Sequence, residues 1–567
     1  MSKGSDLDRV TAIVLQEMRR PLTILLCVNA LGIAVMVMIP GVEGEGMGIF
    51  HAFYFMTYTA TTTGFGELPS EFSDGQRMWA TVCLYMSVVA WIYAIGSIIR
   101  LVQNPHFILA LAQSRFAKAA ARIKEPFFIV CGFGDTGSLL ARGLSDQRLN
   151  AVVIDTDIER IKALRLRDYS VPIPGLEGDA SVPKNLTDAG IQRDNCKGVV
   201  LLTGNEDVNL KIAVMTRLLN PKAEIVCRST SRAHEEELRG LGSVVLADPY
   251  ETFARELGFA LHKPPLHTLD EWLVGAPVNL SNLVSYPRGT WLLCGYGQLG
   301  RWLYRSLSDW GVKVVVIDPD PDATSEVAEQ VTGLATRANL QLAGLAEAVG
   351  VIAATNDDSS NLAILLAARS INRQASLIVR QNSHENELAF NAASADLIMQ
   401  PSLVTARRIL LRLISPMIQE LLEYLADHPQ SLSEELLPRL TAAVDQSSPA
   451  LWTLQLNAQQ APAVHTYLAN HEDYQLGHLL RDSRHRERPP EAVALWLRRG
   501  AQRLALPPED TRIVNGDEIL ICSSHTARGN IHANLSNPYS LHYLATGEEL
   551  PRGWLMNWLR APAAKTR

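Results

Sequence analysis

Apolar residues fall in two registers along this chain. Residues 21–40 and 78–99 are long uncharged apolar runs, each sufficient to cross a bilayer as a helix. Beyond residue 125 the pattern shortens. Brief apolar runs rich in valine and isoleucine stand before glycine-rich turns and helix starts, the rhythm of strand–turn–helix units with a parallel sheet. The chain thus divides into a membrane-embedded α-helical part and a larger α/β part.

Between the two long runs lies 51–61, a short apolar and aromatic stretch of helical character, followed by Thr62-Thr63-Gly64-Phe65-Gly66-Glu67. Glycines at 64 and 66 accept φ > 0 without a Cβ clash, so successive carbonyls can face one axis. Irregular backbone at membrane depth is tolerated only where protein or a water-filled path surrounds it. The string resembles the TVGYG selectivity filter of potassium channels. That resemblance implies a re-entrant pore loop, with 51–61 as its pore helix and four copies replacing the water shell of K⁺. Thr63, Phe65 and Glu67 depart from the usual valine, tyrosine and aspartate, and Phe65 lacks a hydroxyl that would brace the filter. Tyr58 is placed to pack behind this loop or to bond Glu67, and Gly96 is a candidate gate hinge in the second run.

Arg19 and Arg20 precede the first run and Arg100 follows the second, while 41–77 carries five carboxylates against Arg77. The positive-inside rule then puts both termini in the cytoplasm of a cell (inner) membrane protein. No cleavable signal pattern opens the sequence. A length of 567 residues implies several domains, and a net charge of −7 without a basic stripe argues against nucleic acid as a partner. The seven cysteines show no paired spacing. Cys131 and Cys294, at the ends of apolar runs, read as buried small hydrophobes.

The α/β part contains an internal repeat. Gly132-Phe133-Gly134-Asp135-Thr136-Gly137 and Gly295-Tyr296-Gly297-Gln298-Leu299-Gly300 each follow an apolar strand and open a helix. That context gives the GxGxxG motif its weight as a phosphate-binding turn. Asp155 and Asp318 each stand 23 residues after the first glycine, where a ribose would be held. Thr203 and Thr355 follow a further strand, and Arg228 and Arg380 each come 25 residues after that threonine.

In this order the motifs resemble the RCK (regulator of K⁺ conductance), or TrkA-N, domain, over about 127–262 and 291–435. The resemblance implies Rossmann lobes that assemble into a gating ring and bind NAD(H), an adenine nucleotide such as ADP, or a divalent ion such as Ca²⁺. Gly178-Asp179-Ala180 matches the family element that meets the adenine; Thr336-Arg337-Ala338 replaces it in the second copy. The first copy is therefore expected to bind a nucleotide through Gly132, Phe133, Gly134, Asp135, Thr136, Gly137, Asp155, Asp179, Ala180, Thr203 and Arg228. A weaker site is expected in the second at Gly295, Gly297, Gln298, Leu299, Gly300, Asp318, Thr355 and Arg380. Carboxylates at 206–207, 235–237 and 357–358 are candidate Ca²⁺ ligands without a recognisable loop, so the metal-binding residues are unassigned.

The expected domains are a transmembrane pore unit (1–104), a basic linker (105–126), a first RCK domain (127–262), a connector (263–290) and a second RCK domain (291–435). A small α/β C-terminal lobe and tail (436–567) follow, with Trp554 and Trp558 near the end; the first copy's own lobe is reduced or missing. The whole resembles two-span, ligand-gated prokaryotic potassium channels with tandem RCK domains. This implies a homotetramer in a lipid bilayer, with K⁺ as permeant ion, small-molecule effectors, and a linker that transmits ring movement to the inner helices. A less selective cation channel and a membrane-tethered Rossmann oxidoreductase are the alternatives. No catalytic domain with a positioned acid or base follows either copy, so an enzyme is not expected.

Overall fold

The structure, a computed structural model, describes residues 5–550 except 43, 67–70, 230–231, 274–277, 281–282, 284, 445–449 and 471–472. Glu67, Trp554 and Trp558 lie outside the described residues. Two long helices, Ser5–Met38 and Asp74–Gln103, pack side by side with the short helix Ile49–Ala60 between them. The first starts well before the apolar run and carries Pro21 within it. Spans of adequate length and hydropathy run over Thr11–Met38 and Asp74–Gln103. Large apolar side chains such as Leu26, Leu31, Val89 and Ile92 stay exposed along them, as suits a surface solvated by lipid.

The second span starts in a capping box: Ser73 accepts from the Gln76 amide while the Gln76 side chain accepts from the Ser73 amide. Ser73 Oγ also donates to the Pro40 carbonyl at 2.8 Å, tying the two helix ends together. The helix runs unbroken through Gly96, where a Cβ would meet nothing within 4 Å.

The linker is a helix, Pro105–Arg122, started by the Asn104 side chain and Pro105. Its C-terminal half is built into the first α/β core. Phe116 and Ala120 are buried with Ile129, Ile191 and Val199. Arg193 donates to the Ala120 and Ile123 carbonyls at 2.6 and 2.5 Å, and Asn195 to those of Ile123 and Glu125. The tether expected from sequence is therefore a docked strut.

Two six-stranded parallel sheets follow. The first contains β1 (Phe127–Cys131), β2 (Asn150–Asp155), β3 (Gly175–Glu177), β4 (Cys196–Leu201), β5 (Glu224–Arg228) and β6 (Val244–Ala247), in the order β3-β2-β1-β4-β5-β6. The second contains β7 (Trp291–Cys294), β8 (Val314–Asp318), β9 (Gln330–Thr332), β10 (Gly350–Ala353), β11 (Ser376–Arg380) and β12 (Leu397–Met399), and repeats that order. In both, strand order reverses beside the first strand, which opens a crevice at the carboxyl ends. Cys131 and Cys294 are buried there as strand-end hydrophobes.

The repeats exchange helices. Helix Pro249–His262, which leaves the first sheet, buries Phe253, Ala254 and Leu257 against Leu293, Leu303 and Val316 of the second. Helix Pro401–Ile414, which leaves the second, buries Ala406 and Ile409 against Val130, Leu140 and Val153 of the first. Gly143 makes the close approach possible: a Cβ there would stand 2.6 Å from Leu410 Cδ2. Arg408 Nη2 donates to Glu256 and Asp270, each at 2.6 Å, and cross-links the exchanged helices in a largely buried cluster.

The tail forms a four-stranded antiparallel sheet of β13 (Ala450–Gln455), β14 (Ala492–Arg499), β15 (Gln502–Ala505) and β16 (Glu518–Ser523), in the order β13-β16-β14-β15. Gly516, at φ +92°, turns the chain into β16, and the buried Asp517 carboxylate accepts two bonds from Arg499. Among the described residues between the two sheets, helix Pro249–His262 is followed by one more helix, Pro264–Leu273. Leu266, Leu269, Trp272 and Leu273 share one core with Leu436, Leu440, Trp496 and Leu520 of the tail lobe.

Candidate functional site

The helix Ile49–Ala60 buries Ala52, Phe55, Met56 and Tyr58 against Met36 and Cys83 of the two spans. Its last carbonyls are satisfied by the start of the loop: Tyr58 accepts from the amides of Thr63 (2.9 Å) and Gly64 (3.3 Å). Thr62, Gly64 and Gly66 have φ of +56°, +62° and +71°, while Thr63 and Phe65 between them do not enter that region. In an extended strand, carbonyls alternate sides. When left- and right-handed conformations alternate residue by residue, successive peptide planes turn the same way and their carbonyls line one side. Glycine meets this without strain. Thr62, β-branched, does so at a cost on the order of 1–2 kcal/mol. Its amide bonds to the Thr59 carbonyl, and Thr61 and Thr63 share a 2.8 Å hydroxyl contact beside it. Phe65 meets Tyr58 edge-on, with ring centroids 6.5 Å apart.

In the first repeat a cleft of 640 Å³ opens at the carboxyl ends of β1, β2 and β4. Gly132, at φ +104°, carries the backbone past Leu202, whose carbonyl carbon a Cβ would approach to 2.7 Å. Gly137 lets helix Asp135–Asp146 pack on that turn, since a Cβ would stand 2.1 Å from the Gly132 carbonyl oxygen. Gly134 caps the helix without a side chain, and the first helical amide bond is made by Ser138. Asp135, Thr136 and Gly137 line the cleft with first-turn amides that have no partner within the helix, an arrangement able to receive an anion.

Asp155 ends β2 with both oxygens engaged: Oδ2 accepts from the Phe133 amide (2.5 Å) and Oδ1 from the Asp157 amide (2.8 Å). Asp155 lines the cleft, and its Oδ2 lies 3.6 Å from Arg160 Nη1. Of the residues expected from sequence, Gly132, Gly134, Asp135, Thr136, Gly137, Asp155, Asp179, Ala180, Thr203 and Arg228 all border this cleft. Phe133 does not. Its ring is buried in the core beside Leu140, and its amide is taken by Asp155.

The second cleft, 790 Å³, repeats the construction with Gly295, Gly297, Asp318 and Thr355. Asp318 accepts from the Tyr296 amide (2.6 Å) and the Asp320 amide (2.9 Å). Gln298, Leu299 and Gly300 stand away from its walls. Leu299 is buried on the core face of its helix, and Gly300 serves close packing against the Gly295 carbonyl. Arg380 corrects the expectation most clearly: it borders the first cleft and not the second. Its guanidinium lies 4.9 Å over the Tyr250 ring, donates to the Tyr250 hydroxyl (2.9 Å) and donates to Asn356 (2.6 Å). Burial lowers its pKa, with Tyr250 and Asp358 acting against burial and Arg228 adding to it.

Several residues escaped the sequence reading. Thr203 and Thr355 are each clasped by an asparagine six residues on: their hydroxyls donate to Asn209 (2.6 Å) and Asn361 (2.7 Å). The repeated Thr-x₅-Asn spacing carried that signal. Arg160 borders the first cleft, and Ala323 stands at the corresponding distance from Asp318. Tyr250 and Ser402 come from the exchanged helices and Asn382 from the turn after β11, which local spacing does not reveal. Asp357 caps helix Asp358–Ile371 by accepting from the Ser360 amide, and Asp358 ties down the loop after β11 by accepting from Asn382, Ser383 and Asn386. Glu206 and Asp207 both face His234, whose pKa is raised, chiefly by its bond to Asp207.

Two family models match the chain. The TrkA-N domain matches residues 128–248 and 291–401, and the ion channel domain matches 23–104. Potassium channel protein 1 of Methanocaldococcus jannaschii is 25% identical over 228 residues, 39% of this chain and 66% of its own. Probable potassium channel protein 2 of the same organism is 23% identical over 207 residues, 36% of this chain and 59% of its own. The chain thus matches less than two thirds of the length of these relatives. Among solved structures, one described as the GsuK channel bound to NAD aligns over 93% of this chain and all of its own, with 16% identity and a TM-score of 0.47.

Proposed function

From a chain that joins an ion-channel domain to two TrkA-N domains, we propose a potassium channel gated by a nucleotide of the NAD or ADP class. One observation carries the reading: the alternating left-handed backbone at Thr62, Gly64 and Gly66, set directly after a short helix between two spans. One copy leaves the loop from Thr61 to Gly66 exposed, so a closed filter needs several copies around an axis, and four suit a dehydrated K⁺. A homotetramer would carry eight TrkA-N domains and close a gating ring from this chain alone. Both termini and the ring would lie on the cytoplasmic side.

Nucleotide binding at the first cleft would bias the pore by favouring one ring geometry over another. The strut Pro105–Arg122 runs directly from span to sheet and would pass that preference on; Gly96 would let the inner helix bend. The names of the M. jannaschii relatives agree with the permeant ion. The test is current through purified protein in planar bilayers, in K⁺ and Na⁺ gradients, with ADP, ATP, NAD⁺, NADH or Ca²⁺ added on the ring side. K⁺-selective current that changes with a nucleotide is expected; protein that passes no ion overturns the reading. Phe65 favours a second, narrower reading of a less selective cation channel, because no hydroxyl braces the filter at that position. The same recordings separate the two by reversal potential.

A further inference from the structure

Residues 249 and 401 are the opening prolines of the exchanged helices, so Tyr250 and Ser402 hold equivalent places, as do Arg228 and Arg380 at the ends of β5 and β11. All four border the first cleft. The equivalence breaks at the side chains. Tyr250 gives Arg380 a ring to stack on and a hydroxyl to bond, whereas Ser402 offers Arg228 no such platform. The Arg228 side chain makes no hydrogen bond or ion pair among the described residues, and the buried Nε of Arg380 has no partner. Two guanidinium groups facing one cavity repel each other unless an anion lies between them.

We infer that the first cleft is a composite site, in which the phosphates of a nucleoside diphosphate held by the glycine turn of the first repeat are also gripped by Arg380 of the second. This rests on the nucleotide reading above and goes beyond it. The ligand is a clasp between repeats, and its phosphates, rather than its adenosine, carry the clasp. Planar guanidinium groups suit this role, since each presents paired donors to phosphate oxygens. Tyr250 orients Arg380 while leaving Nε unbonded, and Asn382 and Ser402 add second-repeat polar groups to the same wall. Among the described residues the second cleft has no equivalent: its arginines, Arg301 and Arg337, both belong to its own repeat, and no first-repeat residue borders it. A ligand there touches one repeat only.

The test compares ADP with adenosine on the full-length purified channel. Titration calorimetry should show Arg380→Gln weakening ADP binding at least tenfold while adenosine binding stays within twofold; Asp155→Asn should weaken both. Hydrogen exchange on the unmutated protein should show ADP, but not adenosine, slowing the amides of residues 380–382 and 402–404. If the Arg380→Gln protein binds ADP as the parent does, or if ADP slows no second-repeat amide, the composite site is overturned while the nucleotide reading stands. If Arg380→Gln does not yield folded protein, the exchange comparison decides alone. Should the unmutated protein bind neither ADP nor adenosine, the nucleotide reading itself falls.

Discussion

Arg193 Nη1 donates to the Ala120 carbonyl at 2.6 Å, joining a loop of the first α/β unit to the helix that leaves the second span. The same side chain reaches the Ile123 carbonyl and lies over the Phe127 ring at 5.5 Å. On the proposed function, a movement of the ring would reach the strut through this joint. Arg193→Met should leave unitary conductance and K⁺/Na⁺ selectivity unchanged and reduce the nucleotide-induced change in open probability. Couplings of this sort are typically about 1–3 kcal/mol, so single-channel records at saturating nucleotide should show a several-fold loss of response. An undiminished response would place transmission elsewhere.

Gly66 has φ +71°, with open space where a Cβ would be. Gly66→Ala thus introduces backbone strain rather than a clash, on the order of 1 kcal/mol or more in each subunit. K⁺ current should fall sharply or vanish while ADP affinity, measured by calorimetry, is unchanged. Phe65→Tyr should move the reversal potential toward that of a more K⁺-selective pore.

The cross-link at Arg408 has a pH signature. Burial pushes the Glu256 carboxyl up to about 7, with Asp270 adding to the rise and Arg408 opposing it. Arg408→Met leaves two buried carboxylates without their cation, and breaking such a cluster costs about 3–5 kcal/mol. Protons can replace the missing cation, so the folded protein should bind more of them than the unfolded chain does. Stability of the variant should therefore fall as pH rises from 6 to 8. Thermal unfolding at both pH values checks this: the melting temperature gap between parent and variant should be wider at pH 8.

Asp248 caps helix Pro249–His262 by accepting from the Tyr250 and Glu251 amides, yet burial pushes its carboxyl up to about 6. A raised pKa means the folded state holds its proton more tightly. That contribution is complete below about pH 4, where unfolded aspartate is also protonated, and is lost as pH rises through 6. Asn caps helices as well as Asp does and has no charge to desolvate. Asp248→Asn should then raise the melting temperature relative to the parent at pH 8 and change it little at pH 4.

Both glycine turns, the acidic residues at the ends of β2 and β8, and the two spans were legible in the sequence because each is set by local spacing. A turn with φ > 0 demands glycine, and a span demands about twenty apolar residues. The misplacement of Arg380 has the opposite cause. Its position relative to Thr355 is the same as that of Arg228 relative to Thr203, but its direction is set by Tyr250, 130 residues away on an exchanged helix. The docked strut was hidden for the same reason. Its basic residues read as a linker between span and strand, while the buried face of Phe116 and Ala120 has meaning only once Ile129 and Val199 are in place.

The connector helix Pro264–Leu273 sets a limit on how this protein can be cut. Leu266, Leu269, Trp272 and Leu273 sit in the tail lobe's core, reached from the first repeat but completed more than 150 residues later by Leu436, Leu440 and Trp496. A fragment ending near residue 275 would present those four side chains to water as an adhesive stripe and should aggregate or recruit chaperones. A usable minimal fragment of the first repeat would therefore end at His262, with polar residues repainted both on the face of its last helix and on the face of helix Asp135–Asp146 that helix Pro401–Ile414 covers.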